Sequence, residues 1–82
     1  MSKATGFALS ALRTRDMRRF LERQGYQVEP GHHKHLKLRH ERFSTVLLPL
    51  RPGDQLSFVA VKQIAGALGI TSEELTTAVR AE

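Results

Sequence analysis

The sequence predicts an α+β domain in which a helix precedes three antiparallel strands and two further helices follow. Apolar residues recur at helical spacing near both ends of the chain, and Leu36 and Leu38 alternate with charged residues in the middle. The segments between these patterns are short and contain glycine or proline. Because strands joined by short connections pair antiparallel, we expect a three-stranded sheet with the helices on one face and solvent on the other.

The first helix is predicted over residues 14–24. Thr14 is the expected N-cap because its hydroxyl can accept a hydrogen bond from a first-turn amide, and Gly25 is the expected stop. The apolar stripe of this helix consists of Met17, Phe20 and Leu21.

Two strands are predicted next. Tyr26 and Val28 begin a short strand, and residues 33–40 alternate so regularly that Leu36 and Leu38 share one face. The opposite, exposed face should then carry His33, His35, Lys37 and Arg39.

The third strand is predicted over residues 43–48, which are rich in Val, Thr and Leu. A tight turn around Glu41 should join it to the second strand. Pro49 should end it, and a turn over residues 50–54 should follow.

The last two elements are helices with distinct end signals. Ser57 is the expected N-cap of one helix, and Gly69 is its expected end. Thr71 and Glu74 have the spacing of a capping box, so a short helix should run from Ser72 towards the C-terminus. The short additional helix completes the predicted order.

Length and composition limit the possible functions. With 82 residues the chain should form one domain, over residues 14–82, preceded by a flexible N-terminal extension, residues 1–13. There is no cysteine, which excludes disulfides and thiolate metal sites. The sequence has no apolar run near the ~20 residues that span a bilayer, and we expect a cytoplasmic protein. The formal charge of +5 favours a polyanionic partner such as nucleic acid.

All four histidines lie within residues 31–40. A metal site is disfavoured because only His33 and His35 would project together from a strand, beside the cations Lys37 and Arg39. RNA cleavage instead needs a group that removes the 2′-hydroxyl proton, a group that protonates the leaving oxygen, and cations near the phosphate. Histidine beside lysine and arginine meets those needs, although the same residues could be solvated side chains without chemistry.

Four segments in their order along the chain resemble the HicA toxin family: DMRRFLERQGY, HLKLRH, LLP and VKQIAGALGIT. The resemblance implies a double-stranded-RNA-binding-domain-like fold, with α-β-β-β-α order. It also implies a metal-independent ribonuclease that needs no cofactor and cuts messenger RNA with one histidine of the second strand. The partner that the resemblance implies is a HicB antitoxin, which masks that histidine.

The resemblance also selects candidate site residues. Matching the strand HLKLR selects His35 as the catalytic histidine, whereas counting from Gly31 selects His33, because the family's glycine-serine turn is altered here. We prefer His35, since Leu36 and Leu38 anchor the strand directly after it. The candidate RNA-binding residues are Lys34, Lys37, Arg39 and Arg51.

Two other functions fit parts of the sequence. A noncatalytic double-stranded-RNA-binding module would use the same fold and the basic strand. Such a module usually binds phosphate with lysines at a helix start, but the helix predicted after Ser57 has no basic residue until Lys62. A helix-turn-helix DNA-binding protein would use the two C-terminal helices, but its recognition helix would begin with Glu73 and Glu74, which phosphates repel.

Overall fold

The computed structural model describes residues 12–29, 34–51 and 53–81. Six elements lie in them, in the predicted α-β-β-β-α-α order. They are α1 (Thr14–Arg23), β1 (Gln27–Glu29), β2 (His35–Arg39), β3 (Val46–Pro49), α2 (Phe58–Leu68) and α3 (Ser72–Arg80).

The three strands form one antiparallel sheet in the order β1-β2-β3. Glu29 pairs with Lys37 across β1 and β2, and His35 pairs with Pro49 across β2 and β3. Paired residues in an antiparallel sheet project to the same side. The register therefore divides the sheet into an inner leucine face and an outer polar face.

The inner face is buried against the helices. Leu38 of β2 and Leu48 of β3 have no exposed surface, and they share one apolar core with side chains from all three helices. Leu36, the second residue of β2, is only half-buried. The largest fully buried apolar side chains are Met17, Leu21, Leu38, Leu48, Leu56, Leu75 and Val61.

The start of α1 differs from the prediction. Arg13, not Thr14, is the N-cap, and its side chain makes no capping hydrogen bond. Thr14 is the first helical residue; its hydroxyl oxygen is buried without a hydrogen-bond partner, and its backbone N–H donates to the carbonyl of Asp54 at 2.9 Å. A backbone carbonyl from a distant segment thus accepts the hydrogen bond of a first-turn N–H group. The sequence had predicted a side-chain cap at this helix end.

The same pairing extends the packed domain to Leu12. The Leu12 side chain is buried, its carbonyl accepts a hydrogen bond from the Leu56 N–H at 2.7 Å, and Arg13 forms an isolated bridge with Gln55. Residues 12 and 13, which the sequence placed in the N-terminal extension, therefore belong to the fold. Residues 1–11 of that extension lie outside the described part of the chain.

Both ends of α2 and the start of α3 follow the sequence closely. The Ser57 hydroxyl accepts from the Ala60 N–H, and Gly69 closes α2 in the left-handed conformation at φ 74°. Thr71 and Glu74 form the predicted capping box, with hydrogen bonds of 3.0 and 2.9 Å. These signals are local, which is why the sequence was sufficient to predict them.

The boundaries of β2 and β3 differ from the predicted ones. β2 ends at Arg39 and β3 begins at Val46, so residues 40–45 form a longer connection than the tight turn that was predicted. Phe43 does not begin a strand; its ring stacks near Tyr26 with centroids 6.5 Å apart. In addition, the Tyr26 hydroxyl donates to the Ser44 carbonyl at 2.7 Å. These contacts hold the connection against the start of β1.

No helix in the described ranges is long and apolar enough to cross a membrane.

Candidate functional site

The outer face of the sheet is the candidate functional site. It carries the alternate residues of β2, confirming the predicted division of that strand into a leucine face and a charged face. Its neighbours on the edge strands follow from the register. The outer face consists of Gln27, Glu29, His35, Lys37, Arg39, Leu47 and Pro49.

His35 is the first residue of β2 and is exposed. Its position is defined on two sides, by pairing with Pro49 of β3 and by the anchoring of Leu36 in the strand that follows. Within the described part of the chain its imidazole has no hydrogen-bond partner or ion pair. An accessible ring on an ordered backbone meets the steric requirement for proton transfer to or from a bound polymer.

Lys37 and Arg39 lie on the same face as His35, but they share an acidic neighbour. The Arg39 guanidinium is 3.1 Å from one carboxylate oxygen of Glu29, and the Lys37 ammonium is 3.6 Å from the other. The three side chains together carry one net positive charge. A phosphate approaching these cations must therefore compete with the Glu29 carboxylate.

Glu29 is the residue that sequence reasoning missed. The pairing of the first two strands reveals its role, because Glu29 lies directly opposite Lys37. Finding it required the register, which depends on the length of the connection between those strands.

Lys34 and Arg51 lie near the same end of the sheet as His35. Lys34 directly precedes His35, and Arg51 follows two residues after Pro49, the partner of His35; both are exposed. The predicted RNA-binding cations therefore occur at two places, beside His35 and along the outer face. His33 and the altered turn at Gly31 lie outside the described residues.

His40, which directly follows β2, has a structural environment. The N–H of Arg42 donates to its Nδ1 at 2.9 Å, which assigns the proton to Nε2, and Nε2 then donates to the Gln24 carbonyl at 2.8 Å. The ring also lies 5.0 Å from Tyr26 and 4.7 Å from Phe43 between centroids. His40 thus joins the end of α1 to the connection after β2.

Gly25 makes room for this histidine. Its φ is +103°, and a Cβ atom at this position would lie 3.0 Å from the His40 Nε2 atom. Both the backbone conformation and the close approach favour glycine here. The glycine predicted only as a helix stop therefore also permits the contact between His40 and the helix end.

Burial raises the pKa of the Tyr26 hydroxyl above its ordinary value of 10.0. The phenolate form is disfavoured because burial removes its hydration. Tyr26 therefore stays protonated and donates to Ser44 throughout the neutral range.

No three His, Cys, Asp or Glu side chains in residues 12–29, 34–51 and 53–81 come close enough together to hold a metal ion.

Comparison with protein-family models, curated proteins and solved structures finds no significant match for this chain.

Proposed function

We propose that this protein is a HicA-like toxin, a metal-independent endoribonuclease that cuts messenger RNA with His35. The observation that carries the proposal is the accessible His35 imidazole on a strand face that also bears Lys37 and Arg39. An open sheet face suits a polymeric substrate better than an enclosed small metabolite.

The proposed reaction is a transesterification within the RNA. One group removes the proton from a ribose 2′-hydroxyl, whose oxygen attacks the adjacent phosphorus, and another group protonates the departing 5′-oxygen. The products are a 2′,3′-cyclic phosphate and a 5′-hydroxyl, so no water or metal enters this step. His35 acts as the general base or the general acid, and His33 is the candidate for the second proton transfer.

Lys37 and Arg39 supply the positive charge that the developing phosphorane needs. Their contacts with Glu29 do not remove this role, since exposed ion pairs contribute only about 0–1 kcal/mol and phosphate can displace a carboxylate. Lys34 and Arg51 add charge near His35 and are proposed to hold the neighbouring phosphates.

The proposed protein partner is a HicB-like antitoxin that covers His35. Masking an exposed histidine requires only that the partner exclude RNA from the outer face. A purified complex with such a partner is therefore expected to have no ribonuclease activity, and full activity in the complex would contradict masking.

Neither alternative function gains support from a specific contact. For the RNA-binding module, α2 begins with Phe58, Val59 and Ala60, so a phosphate clamp at this helix start lacks a basic side chain. For the helix-turn-helix protein, the first turn of α3 carries Glu73 and Glu74, and Glu74 belongs to the capping box, so the start of a recognition helix would present acidic side chains to phosphate.

The deciding experiment is cleavage of a long single-stranded RNA by the wild type and by His35→Ala, each with excess EDTA. The wild type should cut and leave 2′,3′-cyclic phosphate ends, and His35→Ala should not. Gln63→Ala is the control, because Gln63 is an exposed residue of α2 and does not belong to the outer face. Cleavage by all three proteins would remove His35 from the chemistry, and RNA binding without cleavage by any of them would favour the noncatalytic module.

A further inference from the structure

A second cationic surface lies beside the His35 end of the sheet. A groove of about 170 Å³ separates α1 from the ends of β2 and β3. Its charged lining comes from Arg15, Arg18, Arg19 and Glu22 of α1, and its apolar lining includes Leu36 and Leu50. We call it the α1 groove.

The arginines of the α1 groove form a single stripe. Arg15, Arg18 and Arg19 are spaced by three and four residues, which places them on one side of the helix. Arg18 donates to the Glu22 carboxylate at 3.2 Å, whereas the Arg15 and Arg19 side chains have no ion pair or hydrogen bond in the part of the chain that the structure describes. The four charged residues carry a net charge of +2, so the groove favours an anion.

The apolar lining indicates more than a simple anion site. Leu36 is half-buried, and Leu50 is 40% exposed. Guanidinium groups beside apolar side chains match a nucleotide, whose phosphate is anionic and whose base is flat and mostly apolar. The volume is below the ~300 Å³ at which sites for whole small molecules begin, which favours one unit of a polymer.

The groove is continuous in sequence with the candidate catalytic position. Leu36 directly follows His35, and Leu50 directly follows Pro49, the strand partner of His35. Consecutive Cα atoms are about 3.8 Å apart, so the backbones of Leu36 and His35 adjoin, although their side chains project to opposite sides of the sheet. An RNA strand that contacts both therefore passes around this end of the sheet.

We infer that the α1 groove binds a nucleotide adjacent to the one that His35 attacks, and that the substrate is therefore single-stranded RNA. This inference rests on the proposed ribonuclease function. A base can contact Leu36 and Leu50 only when it has left a helical stack, which single strands permit and duplexes resist. Arg15 and Arg19 then neutralise the phosphates on either side of that base.

The test measures binding of a labelled single-stranded RNA, and of the same sequence as a duplex, over a range of salt concentrations. Proteins with His35→Ala serve for binding so that cleavage does not interfere. Adding Arg15→Gln and Arg19→Gln should lower the salt dependence of log K by about 0.7 for each arginine. Lys62→Gln is the charge-matched control, because Lys62 is exposed on α2 and does not line the groove; it should leave the slope unchanged.

Leu50→Ala gives an independent readout of the apolar contact. It should weaken single-strand binding several-fold with no change in the salt slope, since it removes no charge. In proteins that retain His35, the two arginine substitutions should slow cleavage of single strands at low RNA concentration by the same factor as they weaken binding.

The outcomes separate this inference from the proposed function. If the wild type binds and cuts RNA while the arginine variants behave like Lys62→Gln, the groove assignment is wrong and the ribonuclease proposal stands. Equal binding of the duplex, with the same loss of slope in the variants, would overturn the single-strand assignment. Failure of the wild type to bind any RNA would overturn both.

Discussion

One histidine begins β2 and another directly follows its last residue, and the two differ in almost every physical respect. His35 is exposed, and the described residues provide no partner for its ring, whereas both nitrogens of His40 are hydrogen-bonded and its ring packs with Tyr26 and Phe43. The His40 end has the arrangement of a structural contact. The His35 end, by contrast, lies beside exposed cations and the α1 groove.

This difference shows that the surroundings of a histidine, and not its residue type, decide what the side chain can do. A histidine that bonds two backbone groups is held in one tautomer and contributes to stability, and such a ring is poorly placed to exchange protons with a ligand. A histidine with free ring nitrogens contributes little to stability but can act on a bound phosphate. The predictions below test this division, from the largest expected effect to the smallest.

The largest effect should appear in the cleavage rate. His35→Ala should lower it by about 10²- to 10⁴-fold, the usual contribution of a general acid or base. His40→Ala should keep cleavage within a few-fold of the wild type at temperatures where it remains folded. Single-turnover cleavage of one RNA measures both. A loss of activity in folded His40→Ala equal to that in His35→Ala would end the distinction between the two histidines.

Thermal or urea unfolding should give the reverse order. His40→Ala should lose about 1–3 kcal/mol, because the Arg42 N–H and the Gln24 carbonyl lose their partner and the aromatic contacts are removed. His35→Ala should change stability by less than about 0.5 kcal/mol, as expected for an exposed side chain. Equal losses in both variants would mean that His35 also has a structural contact.

Tyr26, which contacts His40, should give a pH-dependent effect. Its folded pKa lies above the unfolded value of about 10, so its contribution to stability is fully present below pH ~10 and is lost as the pH rises through the folded value. Tyr26→Phe should cost about 1 kcal/mol at neutral pH by removing the bond to Ser44. The variant should also lose less stability than the wild type above pH ~10.

Urea unfolding of the wild type and Tyr26→Phe between neutral and alkaline pH measures this difference. Because Tyr26 is the single tyrosine of the chain, its ionisation can also be followed directly by absorbance. Parallel stability curves for the two proteins would show that Tyr26 does not cause the alkaline loss.

The smallest effect concerns Glu29 of β1, which lies opposite Lys37 at the middle of β2. Glu29→Gln should tighten RNA binding by about two- to fivefold at low salt, because Lys37 and Arg39 lose a competing carboxylate. Glu73→Gln on α3 removes the same charge far along the chain and is the control. Weaker binding by Glu29→Gln would indicate that the carboxylate instead holds the two cations in their binding positions.

The predictable parts of the site are those with a local cause. Strict alternation placed Lys37 and Arg39 on the face of His35, and the structure confirms that placement. The contacts of Glu29, the packing of His40 and the lining of the α1 groove each bring together residues from different elements. Periodicity within one element could not indicate them, since they depend on strand register and on how α1 lies against the sheet.

The sequence by itself determined the order of the elements, the leucine face of β2, both ends of α2 and the start of α3, because hydrophobic period and capping chemistry act within a few residues. Only the tertiary structure decided that Leu12 and Arg13 belong to the fold and that Thr14 needs no capping role, since residues 54–56 supply the hydrogen bonds. It also decided that His40 has a structural role. The physical reason is the same in each case. A backbone or imidazole group forms its hydrogen bond with a partner that is near in space, and the folding of the chain decides which group that is.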